Sequence, residues 1–367
     1  MTKKILFIGT LPPPIDGMTK ATQGTYEVLL DLAEHVDIID LSRRDLSRNF
    51  LSQLRRILSI FSIYLKLIKI SSNYDHIYFT VSESTLGNIK DLIIYFFIYK
   101  KLDILKIHML GGTGMYEILH KSRFLSKINK FFMQKMSGVI VEGPRGYSIF
   151  GHIFLKENIH ILPNFVDDYL IISEDQCKKK YLDLSKINVL YLSHMIPEKG
   201  YISLLDAIEL LPPEVLSNFE FNFVGGFQYL DLKYEFEERL LKLPMVNYLG
   251  DFIDGEEKKL LYASSHIFCL PTFYPFEGQP ISILEAYISG CAVITTPHGG
   301  IPDIFEDKLN GLQVTPKSPK SLSSVFCSIA LDGINLQEIG LRNRSQAYKH
   351  NIKQSYKSRV AQIFELE

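Results

Sequence analysis

The sequence predicts an α/β protein built from two doubly wound parallel-sheet domains, on three observations. Short apolar runs alternate with helical patterns along the whole chain, and these runs are continuous rather than alternating, as in strands buried on both faces between helices. The runs fall into two successive series separated by a polar stretch. The length, 367 residues, exceeds what one hydrophobic core usually serves.

The first series of strands is expected at Lys3–Gly9, Val36–Asp40, His76–Val81, Ile104–Leu110 and Gly138–Gly143. The second is expected at Ile187–Ser193, Phe219–Gly225, Val246–Gly250, His266–Pro271 and Ala292–Thr296. His160–Lys186, with Pro163, an Asp-Asp pair and a lysine run, reads as the linker. The domains are therefore drawn at 1–165 and 166–344, with a C-terminal helix over about 345–367 packing back on the first. Ligands of open α/β sheets sit beyond the carboxyl ends of the strands, so two such sheets predict an interdomain cleft.

Composition removes several classes. A hydrophobic fraction of 46% with 22% charged residues describes a globular chain. Cys177, Cys269, Cys291 and Cys327 are widely spaced with no CxxC pair, which argues against structural zinc and a disulfide framework and suits a reducing cytoplasm. The opening "MTKKILFIGT" has too short an apolar run for a signal peptide. No apolar segment approaches the ~20 residues of a membrane span.

A net charge of −1 hides an asymmetry: residues 1–165 hold 21 Lys and Arg against 14 Asp and Glu, and the remainder 19 against 27. Leu54–Ile70 is apolar nearly all round, with Arg55, Ser59, Ser62, Lys66 and Lys69 in one narrow stripe at helical spacing. Ser122–Met136 repeats the pattern with Arg123, Lys127 and Lys130, and no acidic residue lies between Ile118 and Val141. Two core helices with solvated lysines would read this way. So would a face resting on anionic lipid, to which basic amphipathic helices bind.

"FEGQPISILEAYISG", Phe276–Gly290, places Glu277 and Glu285 eight positions apart. Gly278 ends a turn, Pro280 suits a first helical position and Gly290 the C′ position, so a helix is expected from about Pro280 to Ser289. Eight residues of helix separate the backbones by roughly 12 Å, whereas glycosidase carboxylate pairs act at about 5–9.5 Å. The spacing suits two glutamates touching opposite ends of one long ligand, with its phosphates near the helix N-terminus.

The stretch Phe276–Val314, with its Glu-x7-Glu-Ala and Gly-Gly-Ile-Pro-Asp blocks, resembles the nucleotide-sugar segment of family 4 glycosyltransferases, retaining enzymes of the GT-B fold. Further matches follow in order: Leu11–Ala21 resembles the first glycine loop, Ile107–Gly112 the acceptor-side histidine segment, Leu162–Asp167 the hinge, and Tyr191–Ile208 the phosphate-binding Glu-Lys-Gly segment. The resemblance spans nearly the whole chain.

The resemblance implies a fold, GT-B, and a reaction, transfer of a sugar with retention from a UDP- or GDP-sugar to a glycan or polyprenyl-diphosphate-linked acceptor. It implies Lys199 on the donor diphosphate, Glu285 on the ribose and Glu277 on the hydroxyls of the transferred sugar. Gly278, Gln279, Pro280, Ile281 and Ser282 would line sugar and phosphates. Gly17, followed by Met18, would let the first loop approach the diphosphate through a positive φ, and His108 would sit near the reacting carbon. His108, Lys199 and Glu277 form the expected catalytic set.

The chain departs from the family pattern at His194, where an arginine is usual, at Met18 and Phe165, where glycines are usual, and at Gln279, where an apolar residue is commoner. No metal and no cofactor is expected, since no DxD-type pair is suitably placed. Nucleic acid is not an expected partner. Surface-polysaccharide or O-antigen synthesis at the inner face of the cytoplasmic membrane, reached through the basic first domain, is the expected setting. A dehydrogenase fails on "FIGTLPPPIDG", which is not GxGxxG. A sugar-nucleotide epimerase of the same fold and a weakly active scaffold subunit remain the alternatives.

Overall fold

The structure, a computed structural model, describes residues 3–13, 16–42 and 74–366. The apolar helix expected over Leu54–Ile70 lies outside the described residues. The chain divides into two compact units, Met1–Asn164 with Tyr356–Glu367, and Phe165–Ser355.

The first unit runs β1 (Lys4–Gly9), α1 (Gly17–Leu32), β2 (His35–Asp40), β3 (His76–Thr80), α2 (Thr85–Phe97), β4 (Leu105–Met109), α3 (Gly114–Lys121), α4 (Arg123–Met133), β5 (Gly138–Val141), α5 (Gly146–Phe150) and β6 (Ile159–Ile161). The strands are parallel, in the order β2-β1-β3-β4-β5-β6. Side chains alternate across such strands. One face therefore gives Leu6, Ile8, Phe79, Ile107 and Val139 to a core shared with Tyr95 of α2, Met115 of α3 and Met133 of α4. Phe7 and Tyr78 point the other way, stacked with centroids 4.5 Å apart. That face is closed by α1 and by a final helix whose Tyr356, Val360 and Phe364 are buried, and Thr25 Oγ1 lies 2.6 Å from the Tyr356 hydroxyl.

The second unit runs α6 (Glu174–Lys180), β7 (Ile187–Leu192), α7 (Tyr201–Glu209), α8 (Pro213–Leu216), β8 (Phe219–Val224), α9 (Leu230–Leu240), β9 (Val246–Tyr248), α10 (Gly255–Ser264), β10 (Ile267–Leu270), α11 (Ile281–Ile288), β11 (Ala292–Thr295), β12 (Gly311–Gln313), α12 (Pro319–Leu331) and α13 (Leu336–His350). The final helix, α14 (Lys353–Phe364), carries the chain back to the first unit from Tyr356. The second sheet is also parallel, in the order β12-β11-β10-β7-β8-β9. The order reverses between β7 and β10, the kind of position where loops part to admit a ligand.

Two elements differ from expectation. The three-residue strands β6 and β12 are too short to show an apolar run. His160–Lys186 is not a free linker: the units meet between Asn164 and Phe165, and Leu170, Ile172 and Cys177 are buried in the second core. Within it, Ser173 and Gln176 form a capping box that starts α6.

Candidate functional site

The site of the second unit grows from the loops at the carboxyl ends of β7 and β10, the strands flanking the reversal. Backbone geometry ties these loops together. The Phe273 N–H donates to the Glu198 carbonyl at 2.7 Å. Gly200, at φ +86°, ends the turn that carries Lys199, and a Cβ there would stand 2.3 Å from the Pro271 carbonyl oxygen. Only glycine fits both the left-handed conformation and the close approach.

Lys199 thereby meets Glu277. Its Nζ lies 2.7 Å from Oε1 and 2.9 Å from Oε2, and the Thr272 hydroxyl donates to Oε2 at 2.6 Å. The Glu277 side chain is 5% exposed and that of Lys199 16%, so the pair is largely desolvated while the ammonium keeps an open side. Lys199 Nζ also lies 4.9 Å from the centroid of the Tyr274 ring. The loop after β11 closes on the same point: Gly300 N–H donates to the Glu277 carbonyl at 3.0 Å. Gly299, at φ +58°, leaves no room for a Cβ, which would stand 2.2 Å from that carbonyl oxygen.

Helix α11 starts immediately beyond. Pro280 precedes it, no side chain caps it, and its first turn holds no acidic residue. Its leading N–H groups and the helix dipole therefore favour an anion at this end. Gln279 and Pro280 are buried, whereas Gly278, Ile281 and Ser282 are partly exposed, so these three form the accessible rim of the turn. His194 is exposed in the β7 loop, where its carbonyl accepts from the Tyr191 hydroxyl at 3.3 Å.

Glu285 sits inside α11 with partners of its own. Lys258 Nζ lies 2.7 Å from Oε1, and the Tyr262 hydroxyl donates to Oε2 at 3.0 Å. Burial, reinforced by this carboxylate, holds the Tyr262 phenol far above its usual pKa, so it stays a donor. Lys258 and Tyr262 were not singled out in the sequence. Their i, i+4 spacing on α10 was the available signal, since it puts both on one helix face. The two glutamates therefore have separate cations, Lys199 for one and Lys258 for the other. Nothing in this geometry makes them a proton-sharing pair.

Gly17, Met18 and His108 belong to the first unit, and two of them depart from expectation. Gly17 has no positive φ; it is the first residue of α1, after Asp16, whose capping box with Thr19 starts the helix. A Cβ there would meet nothing within 4 Å, so its value is open space rather than unusual backbone. Met18, beside it, is exposed. His108 is fully buried on β4, with Nδ1 2.7 Å from the Tyr78 hydroxyl and burial pushing its pKa down to about 3. The period of the strand packs this ring edge-on against Tyr78, which in turn meets Phe364, and leaves its Nε2 buried without a hydrogen-bond partner. Among the described residues no three His, Cys, Asp or Glu side chains gather to hold a metal ion.

Comparison with known proteins bears on this arrangement. Residues 173–346 match the family model described as glycosyl transferases group 1. The O-antigen chain mannosyltransferase B of Escherichia coli is 27% identical over 188 residues, 47% of this chain and 48% of that protein. The chain thus spans about half the length of that relative. Anabaena Alr3699/HepE, solved in complex with UDP and glucose, superposes with a TM-score of 0.69 at 18% identity, covering 99% of both chains. Sucrose-phosphate synthase of Thermosynechococcus elongatus gives a TM-score of 0.74 at 15% identity, covering 99% of this chain and 98% of that one. These likenesses extend the GT-B fold to the whole chain, and residues 173–346, which hold Lys199, Glu277 and Glu285, carry the match to the glycosyl transferases group 1 family.

Proposed function

We propose that the chain is a retaining glycosyltransferase that moves a sugar from a UDP- or GDP-sugar to a glycan or polyprenyl-diphosphate-linked glycan, in the assembly of a bacterial surface polysaccharide such as O-antigen. The observation that carries this reading is the meeting of Lys199 and Glu277 beside the uncapped start of α11. A nucleoside diphosphate sugar offers what these groups seek: an anionic middle for Lys199 and the helix N-terminus, and hydroxyl-rich ends for two carboxylates. Glu277 takes the hydroxyls of the transferred sugar and Glu285 those of the ribose. Gly278, Ile281 and Ser282 line the sugar and phosphates, with Gln279 and Pro280 holding the turn. His194 flanks the diphosphate.

Catalysis in this scheme is positioning and charge stabilisation. The leaving diphosphate takes the proton of the acceptor hydroxyl on the face it departs from, and Lys199 and the helix N-terminus stabilise the charge it develops. His108 acts only through the sheet it supports. The names of the relatives support the setting: one is an O-antigen chain mannosyltransferase, and one structural neighbour was solved with UDP and glucose. The protein works at the cytoplasmic face of the membrane as a peripheral protein and needs no metal.

The test is thermal unfolding with UDP, GDP, ADP or NAD, without metal, on wild type and Lys199→Ala. A ligand bound only to the native state raises the midpoint by mass action. The expected outcome is a rise with one nucleoside diphosphate that shrinks in Lys199→Ala. A rise with NAD alone would overturn the reading.

A further inference from the structure

Helices α2 and α4 form a locked pair. Asn88 Nδ2 donates to Asn129 Oδ1 at 3.0 Å and Asn129 Nδ2 to Asn88 Oδ1 at 2.8 Å, and both side chains are fully buried. Their outward faces carry an unusual load. Leu86, Ile89, Ile93 and Phe96 follow one another along α2 at steps of three, four and three, and Phe124, Ile128 and Phe131 along α4 at steps of four and three. Those steps place each set on one helix face. Leu86 is 82% exposed, Phe96 68% and Phe124 73%. Between the helices runs a groove of about 570 Å³ lined wholly by apolar side chains.

The charge beside this face has one sign. Arg123, Lys127 and Lys130 form the neighbouring row of α4. Lys135 Nζ lies 5.4 Å from the Phe131 ring and 5.6 Å from that of Tyr99, and these two rings stack at 6.1 Å. The acidic residue of α2, Asp91, is turned inward onto Ser82 and paired with Lys90, and α4 has none. Exposed phenylalanines beside a row of cations, with no outward carboxylate on either helix, match the boundary between anionic headgroups and acyl chains. Among the described residues no helix is long and apolar enough to cross a membrane.

We infer that the outer faces of α2 and α4 form a docking platform for the surface of an anionic lipid bilayer. Phe96, Phe124 and Phe131 enter the headgroup–acyl boundary while Arg123, Lys127 and Lys130 meet lipid phosphates. This gives a location to the membrane-anchored acceptor proposed above, and in that respect rests on that reading.

The chain contains no tryptophan, so Phe124→Trp makes a single fluorescent reporter within the platform. Its emission is expected to shift to the blue with vesicles of equal phosphatidylcholine and phosphatidylglycerol, and to be quenched by brominated acyl chains, but not with phosphatidylcholine alone. Adding Phe96→Ser and Phe131→Ser should weaken vesicle binding more than about tenfold, and Lys127→Glu with Lys130→Glu by about tenfold or more. Unchanged melting midpoints confirm that these surface variants fold.

No blue shift, equal shifts with both vesicle types, or variants that bind like wild type would each overturn the platform. So would a dimer that Phe96→Ser dissociates, or a ready disulfide between Phe96→Cys and Ile63→Cys, which would assign the face to a second copy or to the chain's own apolar segment. A nucleoside-diphosphate thermal shift that persists when vesicle binding fails would sink the platform alone. Vesicle binding without any such shift would sink the transferase reading instead.

Discussion

Lys258 and Glu285 form an ion pair inside the second unit, Nζ to Oε1 2.7 Å, with side chains 9% and 3% exposed. Charges so thoroughly removed from water persist only because each satisfies the other. Lys258→Met should therefore lower the stability of this unit by about 3–5 kcal/mol, the cost of stranding one buried charge. Urea unfolding of Lys258→Met with Glu285→Leu should recover most of that loss. A double variant no more stable than the single would mean that the pair itself is not the cause.

The three charged residues of the proposed donor site should separate on mutation. Lys199→Ala should reduce sugar transfer by about 10²–10³-fold, as loss of one preorganised charge contact does. Glu285→Gln should weaken binding of the free nucleoside diphosphate by about tenfold or more, as loss of a charged hydrogen bond does. Glu277→Gln should leave that binding nearly unchanged and lower transfer. Calorimetry with the nucleoside diphosphate beside product formation reads the split; equal losses in both assays for Glu277→Gln would contradict its assignment to the sugar.

Gly299→Ala tests whether the β11 loop sets the position of Glu277. The φ of +58° and the 2.2 Å approach to the Glu277 carbonyl both oppose a Cβ. A left-handed non-glycine residue costs roughly 1–2 kcal/mol before any clash is counted. The melting midpoint should fall, and transfer should fall further than the loss of folded protein explains. Gly333→Ala, also at positive φ but open on all sides, should cost stability without touching transfer.

His108 makes stability depend on pH. Its pKa falls from 6.5 in the unfolded chain to about 3 in the fold because burial disfavours the charged ring. Between those values the unfolded chain binds a proton that the folded one excludes. The contribution is present in full above pH 6.5 and is lost as pH falls toward 3, by up to about 1.4 kcal/mol per unit. Asp91, pushed up to about 6 mainly by its own burial, acts in the opposite sense between that value and 3.8, so the comparison must be with His108→Gln. Urea unfolding across this range should give wild type the steeper loss; parallel curves would mean that His108 is protonated or solvated in the fold.

Much of this was legible in the residues. Ten of the twelve strands declare themselves as continuous apolar runs, because a parallel strand with helices on both faces must be apolar on both. β6 and β12 do not: each has only three residues, IHI and GLQ, interrupted by or ending in polar side chains. The Glu277–Glu285 spacing disfavoured a close acid–base pair, but the spacing contained no trace of Lys258. "EEKKLLY" reads as a solvated helix face, and only the fold brings Glu285, 27 positions later, over its lysine. His108 misled for the opposite reason: a histidine at the end of an apolar strand looks available, while the strand's alternation turns it into the core.

The last helix carries a consequence for synthesis. The second unit is one uninterrupted stretch, Phe165–Ser355, whereas the first needs Tyr356–Glu367 to close its inner face. On the ribosome the segment made first is therefore the one completed last. Until Phe364 emerges, His76 and Tyr78 lack the ring that packs on them. A nascent chain stalled within α13 would present a finished second unit beside an open first sheet, and chaperones would find their binding surface at the amino-terminal half.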